Sequence, residues 1–153
     1  LGSELKTLTA VASATSIPVN EALVEAAKKT PSDAAEMLLK WGFGSQSKSG
    51  VSAIPGMQPI GIGMQIMSNN PLAEDLIACT EYKNGINCAK NAHIPSNVIL
   101  ATEDKNTPYR CGLELAGLLN AETTAISNAG HMLPIESPKN TLDAIKSFIL
   151  KNI

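Results

Sequence analysis

The sequence predicts the α/β class: three parallel strands flanked by helices, with a mainly helical segment inserted after the first strand. Three observations carry this prediction. The run Asn97-Val98-Ile99-Leu100-Ala101 is apolar without alternation, as in a parallel strand covered on both faces. From there to the C-terminus, strand-like and helical stretches alternate with loops between them. Thr30-Pro31, Asn70-Pro71, Thr107-Pro108 and Ser137-Pro138 mark four helix starts, because proline at the first helical position needs no N–H and the preceding residue can cap.

The elements follow in order. Thr7 to Ala14 is uncharged and β-tolerant, which predicts the first strand, bounded by Ile17-Pro18. Asn20 is expected to cap a helix running to about Lys29, with Leu23, Val24 and Ala27 on one face and Lys28-Lys29 against the negative end of its dipole. Thr30 and Pro31 open a second helix that Gly42 ends after Trp41. Residues 43–70 read as loop, with a short helix near 64–68. The helix opened at Asn70-Pro71 carries Leu72, Leu76 and Cys79 at helical spacing, and Asn84-Gly85 stops it. A helix bearing Leu113, Leu115, Ala116, Leu118 and Leu119 follows the second strand, and Glu122 to Ser127 forms the third. Leu142, Ile145, Phe148 and Ile149 are expected to form the buried stripe of the final helix. The chain thus divides into a first core segment (1–16), a helical insertion (17–92) and a second core segment (93–153).

Composition excludes several function classes. A formal net charge of -2 leaves no basic face for phosphates, and 3% aromatics offer few platforms for bases, so nucleic acid is not an expected partner. The stretch between Lys48 and Glu74 is uncharged, yet Pro55, Pro59, Pro71, Gly56, Gly61 and Gly63 interrupt it too often for a spanning helix. It reads as a lid. Leu1-Gly2-Ser3-Glu4 has neither the basic region nor the apolar core of a signal peptide, and lacks an initiator methionine. Cys79, Cys88 and Cys111 form no C-x-x-C pair and are odd in number, which suits reduced packing residues and a cytoplasmic setting.

Chemistry concentrates where ligands bind in open parallel sheets, beyond the carboxyl ends of the strands. Asp104 follows the second strand and His131 the third, so a carboxylate and an imidazole can meet at one rim. The tract from Val98 through Glu103-Asp104-Lys105-Asn106-Thr107-Pro108 resembles the strand, triad acid and helix-starting proline of the α/β-hydrolase family. Asn128-Ala129-Gly130-His131-Met132-Leu133-Pro134 is similar to the family's catalytic-histidine loop. This resemblance covers most of the chain as a partial α/β-hydrolase core, core strands 6 to 8 with a helical cap inserted after strand 6. No G-x-S-x-G turn occurs, so the nucleophilic serine is expected upstream of Leu1.

The resemblance implies acyl transfer from an ester or similar small carbonyl substrate to water, with His131 as base, Asp104 as its orienting acid and no cofactor. It also implies an inactive isolated chain whose first strand presents an open edge to the missing N-terminal part or to a second copy. A non-catalytic ligand- or protein-binding module is the rival reading, and an aspartate nucleophile or transfer to another acceptor stays open within the enzyme class. Among neighbouring residues, Glu103 competes with Asp104, but the D-x-x-x-P spacing favours Asp104. His93 reads as structural, and Glu136 as an acid at the positive end of the last helix. Trp41, Met57, Met64, Met67 and Met132 are candidates for lining an apolar acyl pocket. Gly61-Ile62-Gly63 lacks the third glycine of a phosphate loop, with Ile66 in its place.

Overall fold

The computed structural model of the chain describes residues 5–48, 67 and 70–153. Strands β1 (Leu8–Val11), β2 (Ser96–Ala101) and β3 (Glu122–Ile126) form one parallel sheet in that order, with Val11 opposite Ile99 and Ile99 opposite Thr124. Between β1 and β2 lie α1 (Glu21–Lys29), α2 (Pro31–Gly42), α3 (Ser45–Lys48), α4 (Leu72–Glu81) and α5 (Gly85–Lys90). α6 (Tyr109–Leu119) joins β2 to β3, and α7 (Leu133–Glu136) and α8 (Pro138–Asn152) follow.

β2 is buried along its whole length, as its unbroken apolar run requires. Successive side chains of a strand point to opposite faces, so Val98 and Leu100 pack with Ala89 of α5 and Leu115 and Leu119 of α6. Ile99 and Ala101 face the other way, against Ile126, Leu133 and, from α8, Ala144 and Ile145. Val98 and Ile99 are wholly buried, and each such side chain contributes roughly 1.5–3 kcal/mol relative to exposure. A separate cluster, centred on Leu23, Ala27, Ala34, Leu72 and Leu76, binds α1, α2 and α4 to one another.

Several ends form for the expected reasons. The Asn20 side chain accepts from Ala22 N at 2.9 Å and caps α1. Asn120 closes α6 in the left-handed region, its N–H donating to Ala116 O and Gly117 O. Elsewhere the outcome differs. The first strand is four residues rather than eight, because Ala12 turns out of extended geometry at φ 46. Thr30 and Ser137 flank their helices without a side-chain capping bond, and Pro71, not Asn70, stands at the cap of α4, as Pro108, not Thr107, does at that of α6. Asn84-Gly85 does not merely stop a helix: α4 ends at Glu81 and Gly85 begins α5. Ser45–Lys48, read as loop, is a single helical turn too short to leave a periodic trace. The expected helix near 64–68 falls mostly outside the described residues, of which only Met67 is described, as helical.

The final helix corrects the expected stripe. Thr141 and Phe148 are its buried residues, whereas Leu142 is 62% and Leu150 71% exposed and Ile149 is also exposed. Thr141, Ala144 and Phe148 share one face at i, i+3 and i+7; Leu142 and Ile149 lie one residue further round, about 100° away, and miss the sheet. Cys88 is exposed rather than packed, and Cys79 and Cys111 are half-buried; all three are free thiols.

Glycine is required at 130, where a Cβ would fall on the backbone of Gly42, Phe43 and Gly44, but not at 117, where nothing lies within 4 Å. Gly130→Ala is expected to lower stability by about 1–3 kcal/mol. Gly117→Ala, in an open helical position, is expected to raise it by about 1 kcal/mol. Urea unfolding of both variants checks the pair.

Candidate active site

The β2–β3 pairing continues past the strand ends into the loops that hold the acid and the imidazole. Thr102 N donates to Ile126 O at 3.1 Å and Glu103 N to Ala129 O at 2.9 Å. Asn128 takes the left-handed conformation that its residue type tolerates, φ 58, and its N–H donates to Thr102 Oγ1. These bonds bring both loops to one rim of the sheet, as their place after neighbouring parallel strands dictates.

There His131 Nδ1 lies 2.9 Å from Asp104 Oδ2. The Asp104 side chain is 1% exposed and that of His131 27%, so the acid is enclosed and the ring reaches open space. Asp104 Oδ1 accepts from Asn106 N at 2.8 Å and Thr107 N at 2.9 Å, which fixes the carboxylate. A carboxylate only accepts, so Nδ1 carries the hydrogen and Nε2 is left as the acceptor, the tautomer a general base needs. Thr107 Oγ1 stands 2.8 Å from both Asp104 Oδ2 and Ala12 O, its single hydrogen serving one at a time. The left-handed turn at Ala12 therefore ties the end of β1 to the same cluster.

The neighbouring acids have other partners. Glu103 accepts from Ser45 N at 2.6 Å and from Ser45 Oγ at 2.9 Å. Glu136, expected at the positive end of the last helix, instead accepts from Gly130 N, Met132 N, Gly44 N and Ser47 Oγ. Gly42 O accepts from His131 N, so residues 42–47 border both loops. No single-sequence pattern marks Glu136 for this role, since its partners lie up to 92 positions away.

Beside His131 opens a cavity of about 260 Å³ walled mainly by Ile17, Val19, Leu23, Leu38, Trp41 and Leu76, with Cys79, Lys105 and Asn106 adding polar atoms. Trp41 thus reaches the space next to the imidazole. Met132 is half-buried and adjoins His131 in sequence, but is not among the described residues that line this cavity. Met57 and Met64 lie outside the described residues. His93 is exposed in the turn before β2. Among the described residues, no three His, Cys, Asp or Glu are grouped to hold a metal ion, and no helix is long and apolar enough to cross a membrane.

This architecture is that of the α/β-hydrolase fold. The enol-lactonase from Burkholderia xenovorans LB400 superposes with a TM-score of 0.81 at 17% identity, over 95% of this chain and 56% of its own. A thermophilic esterase from Thermogutta terrifontis gives 0.77 at 17% identity over 95% and 56%. A bromoperoxidase from Bacillus anthracis gives 0.78 at 12% identity over 95% and 58%. The likeness is one of fold, and the chain spans little more than half the length of each. No family model matches the sequence, and neither does any curated protein.

Thr107 offers a direct test of the cluster's coherence. Thr107→Val keeps the shape but leaves Ala12 O and Asp104 Oδ2 without the hydroxyl, and should cost about 1–3 kcal/mol in urea unfolding. Thr107→Ser, which retains the hydroxyl, should cost less than half of that.

Proposed function

We propose that this chain supplies the acid and base of a serine-type α/β-hydrolase acting on an ester or similarly small carbonyl substrate. The contact between His131 Nδ1 and Asp104 Oδ2, with the ring opening onto an apolar cavity, carries the reading. The enol-lactonase and the esterase of the same fold support it. In the proposed reaction a serine from a preceding segment attacks the substrate carbonyl while His131 Nε2 takes its hydroxyl proton. The proton then passes to the leaving oxygen as the ester C–O bond breaks, and water repeats the sequence to release the acid and regenerate the serine. Asp104 holds the ring and stabilises the imidazolium formed in each half. No step calls for a cofactor.

The helices between β1 and β2 act as a cap that shapes the acyl pocket, and a cavity of this size suits a short, mostly apolar acyl group. The preceding segment also serves as structural partner. Among the described residues β1 is paired on one side only, and a groove of about 310 Å³ beside it is lined by Leu8, Ala10, Tyr82, Ala89 and Leu115, so an added strand would find both hydrogen bonds and apolar cover. The three free thiols fit a reducing, cytoplasmic setting.

A binding module is the second reading, because the described residues already wall an apolar cavity beside His131. The chain alone should not turn over a chromogenic short-chain ester. Joined to its upstream coding segment it should, and His131→Ala should then lower kcat/KM by about 10²–10⁴-fold. Ester-dependent quenching of Trp41, the sole tryptophan of these 153 residues, in this chain alone, together with no turnover by the joined protein, would instead establish the binder. Turnover by the 153-residue chain alone would show the nucleophile to lie within it.

A further inference from the structure

One carboxylate collects four hydrogen bonds at the edge of the site. Glu136 Oε1 accepts from Gly130 N at 3.0 Å and Met132 N at 3.1 Å, the amides on either side of His131. Its Oε2 accepts from Gly44 N at 2.7 Å and Ser47 Oγ at 2.9 Å, both on the strap that leaves α2. The strap is also held one residue before Asp104, where Glu103 accepts from Ser45 N and Ser45 Oγ. It therefore spans the acid loop and the imidazole loop, which are also joined by the main-chain bonds, by Asn128 N to Thr102 Oγ1 and by the His131–Asp104 contact itself.

We propose that Glu136 is a positioning residue that makes the His131–Asp104 contact depend on docking of the strap, an inference that rests on the hydrolase reading of that pair. Met132 N belongs to the peptide plane that follows His131 and Gly130 N to the plane one residue before the histidine's own, so the carboxylate brackets the residue, and the other two donors transmit the position of the helices between β1 and β2 to the same carboxylate. A hydrogen bond to a charged acceptor is about twice as strong as a neutral one, so one carboxylate can hold the two segments in register. A glutamine of equal shape cannot, because whichever way its amide turned the NH₂ would face at least one main-chain N–H, Gly44 on one side or Gly130 and Met132 on the other. The inserted helices then do more than wall the cavity: when the strap is seated, the base is aligned.

The test uses the 153-residue chain, whose two histidines make ¹⁵N-histidine spectra simple to assign. In the unmodified chain the His131 Nδ1–H should give a downfield resonance in slow solvent exchange, abolished by Asp104→Asn. Its absence in an unmodified chain whose Val98 and Ile99 amides are protected from exchange, and which is therefore folded, would overturn the hydrolase reading and this inference with it. Glu136→Gln should speed exchange of that proton by at least roughly tenfold, with the amides of Val98 and Ile99 keeping their rates. Unchanged Nδ1–H exchange, or equal acceleration at Val98 and Ile99, would overturn the positioning role while leaving the Asp104 result intact. Should Glu136→Gln fail to fold, Ser47→Ala removes one donor of the four and should speed the same proton roughly threefold to tenfold. No change there would refute the proposal.

Discussion

Parallel pairing of β2 with β3 is the constraint on which this structure depends. Because the two strands run side by side in the same direction, the chain leaves both at one rim, and the main-chain bonds from Thr102 and Glu103 to Ile126 and Ala129 extend the pairing into the loops. A carboxylate and an imidazole 27 positions apart thereby meet within hydrogen-bond distance. Antiparallel order would send them to opposite ends of the sheet. The core enforces the register, since a slip of one residue would turn Val98 and Ile99 to the wrong faces.

Of the helices between β1 and β2, α5 joins the core of the sheet through Ala89, whereas α1, α2 and α4 pack through a core of their own, and the segment that follows α2 meets the sheet's loops through directed polar contacts. This division has a physical logic. Apolar packing between α1, α2 and α4 gives a stable unit whose position is not fixed by shape alone, and hydrogen bonds from Gly42, Gly44, Ser45 and Ser47 supply the missing orientation. The close approach of Gly44 to Ala129 and Gly130, where side chains would intrude, lets those bonds form.

The sequence made much of this legible and left a definable remainder hidden. The apolar run at 97–101, the proline-marked helix starts and the paired tracts around Asp104 and His131 are local signals, and the structure follows them. The acid next to the ring was also readable, because the D-x-x-x-P spacing favours Asp104 over Glu103; in the structure Asp104 accepts from the amides of Asn106 and Thr107 in the turn before Pro108, and Glu103 accepts from Ser45. What stayed hidden depends on distant partners. Glu136 shows an ordinary helix-start context, and its hydrogen bonds to Gly44 and Ser47 exist only once two separate segments meet. The exposure of Leu142 and Ile149 was equally invisible, since helical periodicity identifies an apolar face but not which way the helix rolls.

The turn after Asp104 carries a further implication for how such a protein diversifies. Asn106 holds the carboxylate through its main-chain N–H, and both it and Lys105 contribute to the cavity wall. A backbone bond survives replacement of the residue that bears it. Lineages can therefore rework the wall at these two positions, drifting toward bulkier, smaller or oppositely charged occupants, without unhooking the acid from its place.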